Sequence, residues 1–124
     1  MFNHILVVDD QRADHLLAEY AISDYNANAE IYKAFDGKEA LEVLSQQPQI
    51  ELILLDINMP RMNGHDFLKQ YATSCQHSSV VVMLTSSDQK ADRERCEQYE
   101  QVIAYLSKPL EAVDIKNLEA KSSR

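Results

Sequence analysis

The sequence predicts an α/β protein, a parallel β-sheet held between two layers of helices. Five short apolar runs alternate with longer segments whose apolar residues recur at helical spacing. The runs are apolar at successive positions rather than at every second one, as in strands covered on both faces. Right-handed crossovers between parallel strands place helices there. The 124 residues suit one such domain, which at this size buries about two-thirds of the surface its unfolded chain exposes.

The strands are expected at Ile5 to Val8, Ile31 to Phe35, Leu52 to Leu55, Val80 to Leu84 and Val102 to Leu106, each rich in branched or aliphatic residues. Between the first two, Ala13, Leu16, Leu17, Tyr20 and Ala21 mark the apolar face of a helix. Ala40, Leu41 and Leu44 mark a second helix, and Phe67, Leu68, Tyr71 and Ala72 a third. The stretch "KADRERCEQ", Lys90 to Gln98, has little apolar face, so a helix there is mostly solvated; Leu110, Val113 and Leu118 outline a weaker C-terminal helix. The domain is expected to span 1-124 with its core at about 4-118, and the closing "EAKSSR" is a short tail too small for a second domain.

Composition narrows the function. Twelve Lys and Arg against twenty Asp and Glu leave a net charge of −8, which disfavours nucleic acid and anionic membranes as partners. Cys75 and Cys96 have neither metal-ligand spacing nor a disulfide framework, and the start "MFNHILVVDD" lacks the basic and long apolar segments of a signal peptide or membrane span. A cytoplasmic protein with reduced thiols is expected.

In open sheets of this kind ligands gather beyond the carboxyl ends of the strands. Here the first strand is followed by Asp9 and Asp10, the third by Asp56, the fourth by Thr85 and Ser86, and the fifth by Lys108 and Pro109. Each alone has a plain structural explanation as a helix cap, a turn former or a surface lysine. Together they are harder to dismiss, because two carboxylates about 4 Å apart repel by roughly 4 kcal/mol at an effective dielectric near 20. Hard oxygen donors at this density suit Mg²⁺. A carboxylate beside such a cation and a lysine can accept a phosphoryl group as an aspartyl phosphate, with a hydroxyl such as that of Thr85 offered to a phosphoryl oxygen.

The ordered set "VVDD", "DGKEAL" (Asp36 to Leu41), "LLDINMP" with Gly64 after it, "MLTS" and "YLSKPL" resembles the receiver domain of two-component response regulators, over about His4 to Leu118. The resemblance implies a flavodoxin-like three-layer sandwich with strand order 2-1-3-4-5. It implies Asp56 as phosphoacceptor and Asp9, Asp10, Asp56 and the Asn58 carbonyl as the Mg²⁺ site, Asp9 acting mainly through water. It also implies Lys108 as the partner of the phosphoryl group, a cis peptide at Pro109, and Thr85 with Tyr105 as a switch pair. Two features depart from the commonest pattern. Ser86 stands where a smaller residue is frequent, and "QYEQVIAY" replaces the usual turn before the fifth strand. Asn58 and Ser87 occupy positions that tune acyl-phosphate lifetime in the family.

The function so implied is reception of a phosphoryl group on Asp56 from a histidine kinase or phosphotransfer protein. The signal would leave as a surface change linked to Thr85 and Tyr105, toward a protein target on the face of the fourth helix, fifth strand and fifth helix. Such a protein is not a conventional enzyme, and a monomer or weak homodimer is expected. A phosphorelay shuttle or phosphate sink is the alternative, and a haloacid dehalogenase-type phosphohydrolase a remote one, since that family puts its nucleophile after the first strand in Asp-x-Asp. His4, His15, His65 and His77 share no spacing and read as surface or strand-edge residues; Met59, Met62 and Met83 read as packing.

Overall fold

The structure is a computed structural model and describes residues 2–56, 66–67, 69–71, 79–85, 102–108 and 110–122. Five strands, β1 (His4–Val8), β2 (Glu30–Ala34), β3 (Leu52–Asp56), β4 (Val80–Thr85) and β5 (Val102–Ser107), form one sheet. Its order is β2-β1-β3-β4-β5 and every neighbouring pair is parallel. The expected strands and strand order are therefore present, with ends moved by about one residue, and β3 ends on Asp56.

Because side chains alternate across a strand, each strand feeds two cores. Leu6, Val8, Ile53, Leu55, Val81 and Met83 point to one side, where Ala40 and Leu44 of helix α2 (Gly37–Gln46) and Phe67 and Tyr71 from the helical residues near 70 cover them. Ile5, Val7, Leu52, Leu54, Val82 and Leu84 point to the other, under Ala18, Ala21 and Ile22 of helix α1 (Arg12–Tyr25) and Ile115 and Leu118 of the C-terminal helix (Ala112–Ser122). All five residues of β3 are buried, as a central strand requires.

Local chemistry fixes the helix entries. Asp36 caps α2 by accepting from the Glu39 amide at 2.8 Å, while Glu39 Oε1 accepts from the Phe35 amide at 3.3 Å, a near relative of the capping box. The Gln11 side chain makes no cap bond for α1. Its amide instead donates to Asp9 Oδ1 at 2.9 Å, so a carboxylate at the end of β1 shapes the turn into the helix. The far end is tied by the Tyr25 hydroxyl, which accepts from the Phe2 amide at 2.7 Å and donates to Glu119 of the C-terminal helix.

The structure corrects the expected face of α1. Leu16, Leu17 and Tyr20 are 53%, 49% and 66% exposed, and the helix buries His15, Ala18, Ala21 and Ile22 instead. Two overlapping stripes satisfy the helical period here, and the sheet selects the one whose small Ala18 and Ala21 allow close approach. Val113, expected on the apolar face of the C-terminal helix, is also exposed, and Ile115 and Leu118 fill that role. The expected helix over Lys90 to Gln98, along with Leu68, Ala72, both cysteines, His65, His77, Met59 and Met62, lies outside the described residues.

Candidate functional site: an acidic cluster with a captive lysine

Strand register brings the site together. Val8 of β1 pairs with Leu55 of β3, so the next residues, Asp9 and Asp56, emerge side by side at the carboxyl edge despite a separation of 47 positions in sequence. Asp10 joins them, and one oxygen from each of Asp9, Asp10 and Asp56 lies within 4.8 Å of the others. Asp9 and Asp56 are buried and Asp10 is half-exposed. Leu84 pairs with Asp56, and Thr85 with Ser107, so the β4 and β5 ends reach the same rim.

Lys108 follows β5 and points into the cluster. Its ammonium donates to Asp9 Oδ2 at 2.7 Å and to Asp14 Oδ2 at 2.8 Å, and stands 3.7 Å from Asp56 Oδ2. Burial pushes the Asp9 carboxyl above its ordinary value, and the hydrogen bonds from Lys108 and the Gln11 amide only partly offset it. For Lys108 burial acts in the opposite sense, toward a lower value, but the bonds to Asp14 and Asp9 and the charge of Asp56 outweigh it and the ammonium is held above its usual range. Among the described residues three carboxylates, Asp9, Asp14 and Asp56, lie around this one ammonium, with Asp10 beside them, an arrangement short of positive charge.

That shortage, with donors that are hard oxygens from three strand and loop positions, fits a divalent cation such as Mg²⁺. Beside the cluster opens a cavity of about 410 Å³, polar at Asp9, Asp14 and Lys108 and apolar along Val7, Leu17, Leu84 and Leu110.

Two residues of this neighbourhood escaped the sequence reading. Asp14 holds Lys108, and His15, far from being a surface residue, is only 3% exposed. The His15 Nε2 lies 2.8 Å from the Asp9 carbonyl oxygen, which can only accept, so Nε2 carries the proton. Its ring packs on Phe35 with centroids 4.5 Å apart. Asp9 is thus pinned on both sides, because its amide also donates to the Ala34 carbonyl at 3.0 Å. The available signal was spacing: Asp14 and His15 fall in the first turn of a helix that starts three residues after Asp9, and that turn must face the strand end it leaves.

Among the other expected site residues, Tyr105 lies in β5, partly buried against the core on the α2 side. Thr85 ends β4, but its side chain is outside the described residues, as are Asn58, Ser86, Ser87 and Pro109.

Comparison with known proteins agrees with this fold. The family model described as response regulator receiver domain matches residues 5–119. The two-component response regulator ORR3 of Oryza sativa subsp. indica is 31% identical over 115 residues, spanning 93% of this chain and 86% of that protein. A two component response regulator from Cytophaga hutchinsonii superposes with a TM-score of 0.88 at 28% identity, covering 97% of this chain and 96% of that one. The Mn²⁺-bound form of response regulator Rcp1 gives a TM-score of 0.76 at 28% identity, over 94% and 88% of the two chains.

Proposed function

The chain belongs to the response regulator receiver family of two-component signalling, and from that premise we propose that Asp56 is the residue that accepts a phosphoryl group. Response regulators of this kind receive phosphoryl groups from histidine kinases or phosphotransfer proteins, and they are signalling modules rather than conventional enzymes. The observation that carries the assignment is the clustering of Asp9, Asp10 and Asp56 at one sheet edge, with Lys108 against Asp9 and Asp56.

In the proposed reaction an Asp56 oxygen attacks the phosphorus of a phosphohistidine. The P–N bond breaks, its electron pair stays on the imidazole nitrogen, and an acyl phosphate forms. Water later attacks phosphorus and returns carboxylate and inorganic phosphate. Asp9, Asp10 and Asp56, with the Asn58 carbonyl, would hold Mg²⁺, which supplies charge to offset the carboxylates and the incoming phosphate. The Mn²⁺-bound form of Rcp1 supports a divalent ion in a relative. Lys108 would donate to a phosphoryl oxygen, and Thr85 would do so from the end of β4. Phosphorylation adds about −1.5 to −2 charge. The hydroxyl of Thr85 would move toward it and the ring of Tyr105 turn inward, changing the outer surface of β5.

Incubation with Mg²⁺ and a small phosphodonor, followed by mass spectrometry, tests this. A labile phosphate adduct is expected, absent when Mg²⁺ is chelated and absent in Asp56→Asn. An adduct of equal yield in Asp56→Asn would overturn the assignment.

A further inference from the structure

Both oxygens of Asp9 are already committed: Oδ1 accepts from the Gln11 amide at 2.9 Å and Oδ2 from Lys108 at 2.7 Å. A divalent cation that draws on Asp9, directly or through water, competes with the ammonium for its oxygens and repels the ammonium at the same moment. Asp56, a second carboxylate near Lys108, is itself one of the cluster.

Asp14 is differently placed. It accepts from Lys108 at 2.8 Å yet stands outside the three-carboxylate group, on the first turn of α1, where the helix backbone fixes its position. Its side chain is 30% exposed, against 3% for Asp9, so it sits at the rim of the cluster and not inside it. We propose that Asp14 is a positioning residue, the carboxylate that keeps the Lys108 ammonium at the site when a divalent cation takes over Asp9. A lysine has three donors on a flexible stem and keeps its place only while a fixed acceptor holds it. Asp14 supplies that acceptor in both states, so the ammonium exchanges Asp9 for a phosphoryl oxygen by a small swing instead of a search through solvent.

The inference rests on the cluster being a Mg²⁺ site, and its test separates the two. The ammonium of Lys108 is observed directly by ¹⁵N-resolved NMR of its Nζ protons, while backbone amide shifts of Asp9 and Asp10 report Mg²⁺ binding without any phosphodonor. In the wild type the Nζ protons stay protected from solvent exchange without Mg²⁺ and at saturating Mg²⁺. In Asp14→Asn, close to isosteric, they stay protected without Mg²⁺, where Asp9 still holds them. At saturating Mg²⁺ they exchange faster by about tenfold or more, the weight of one charge-assisted hydrogen bond. Asp14→Glu restores protection. Continued protection in Mg²⁺-saturated Asp14→Asn, or its loss in Mg²⁺-saturated wild type, overturns the role of Asp14 and leaves the metal site standing. Amide shifts that ignore Mg²⁺ overturn both.

Discussion

Replacing Lys108 by methionine keeps the stem that lines the cavity wall and removes only the charge. What remains is Asp9, Asp14 and Asp56, whose oxygens lie 2.7, 2.8 and 3.7 Å from the vanished ammonium. Breaking a buried ion pair costs about 3–5 kcal/mol, and solvent screening at the partly exposed Asp14 lowers this to roughly 2–3 kcal/mol. Proton uptake sets a ceiling: shifting one carboxyl from about 4 to 7 costs about 4 kcal/mol, beyond which the group is neutral at pH 7. In a 124-residue domain each kcal/mol moves the melting temperature by roughly 3–5 °C, so Lys108→Met is expected to melt about 6–15 °C below the wild type in chelator. Mg²⁺ should stabilise the variant more than the wild type, by about 1.4 kcal/mol for each tenfold gain in affinity once the ion is in excess. The deficit should also shrink toward pH 5, as one carboxyl takes up a proton. Circular dichroism melts across this grid suffice. A variant that melts with the wild type in chelator, or that gains no more from Mg²⁺, would refute the picture of a cluster short of positive charge.

His15→Phe, which keeps the packing on Phe35 and loses the bond to the Asp9 carbonyl, should bind Mg²⁺ more weakly by about three- to tenfold, the weight of one hydrogen bond; unchanged affinity by calorimetry would remove His15 from the site. On α1, Ile22→Ala should cost about 2–5 kcal/mol in urea unfolding, whereas Leu16→Gln and Tyr20→Gln should stay within about 0.5 kcal/mol; the reverse order would restore the face read from the sequence. At alkaline pH stability should fall. The Lys108 pKa is raised above 10.5, so its contribution is complete below that value and disappears as pH climbs through the folded-state pKa. Tyr71, raised above 10 by burial, acts in the same direction because the unfolded chain gives up its proton first. On the acid side Glu119, lowered by its bond from Tyr25 and by the N-terminus, contributes above about 4.5 and less as pH drops through its folded value. Urea midpoints from pH 4 to 11 would show both limbs, and a flat alkaline limb would contradict the direction given for Lys108.

The layer architecture was legible in the sequence because it depends on pattern alone. Runs such as Leu52 to Leu55, apolar on both faces, have no stable place except a sheet covered twice, and their polar successors must then share one edge. For the same reason Asp9, Asp56 and Lys108 could be named as neighbours: each directly follows or ends a parallel strand, and parallel strands end together. Strand order came from family resemblance, since local pattern holds no information on which strand lies beside which. Tertiary structure alone decided the matters that turn on rotation and reach. Residues 13, 16, 17, 20 and 21 and residues 15, 18, 21 and 22 both fit a helical stripe, and only the sheet's demand for small side chains at the contact chose the second. That choice carried His15 under the Asp9 carbonyl and turned Asp14 toward Lys108 across 94 residues of chain. A period fixes that a helix has an apolar face; the angle at which that face meets the sheet is set by packing, and so is the identity of the lysine's second carboxylate.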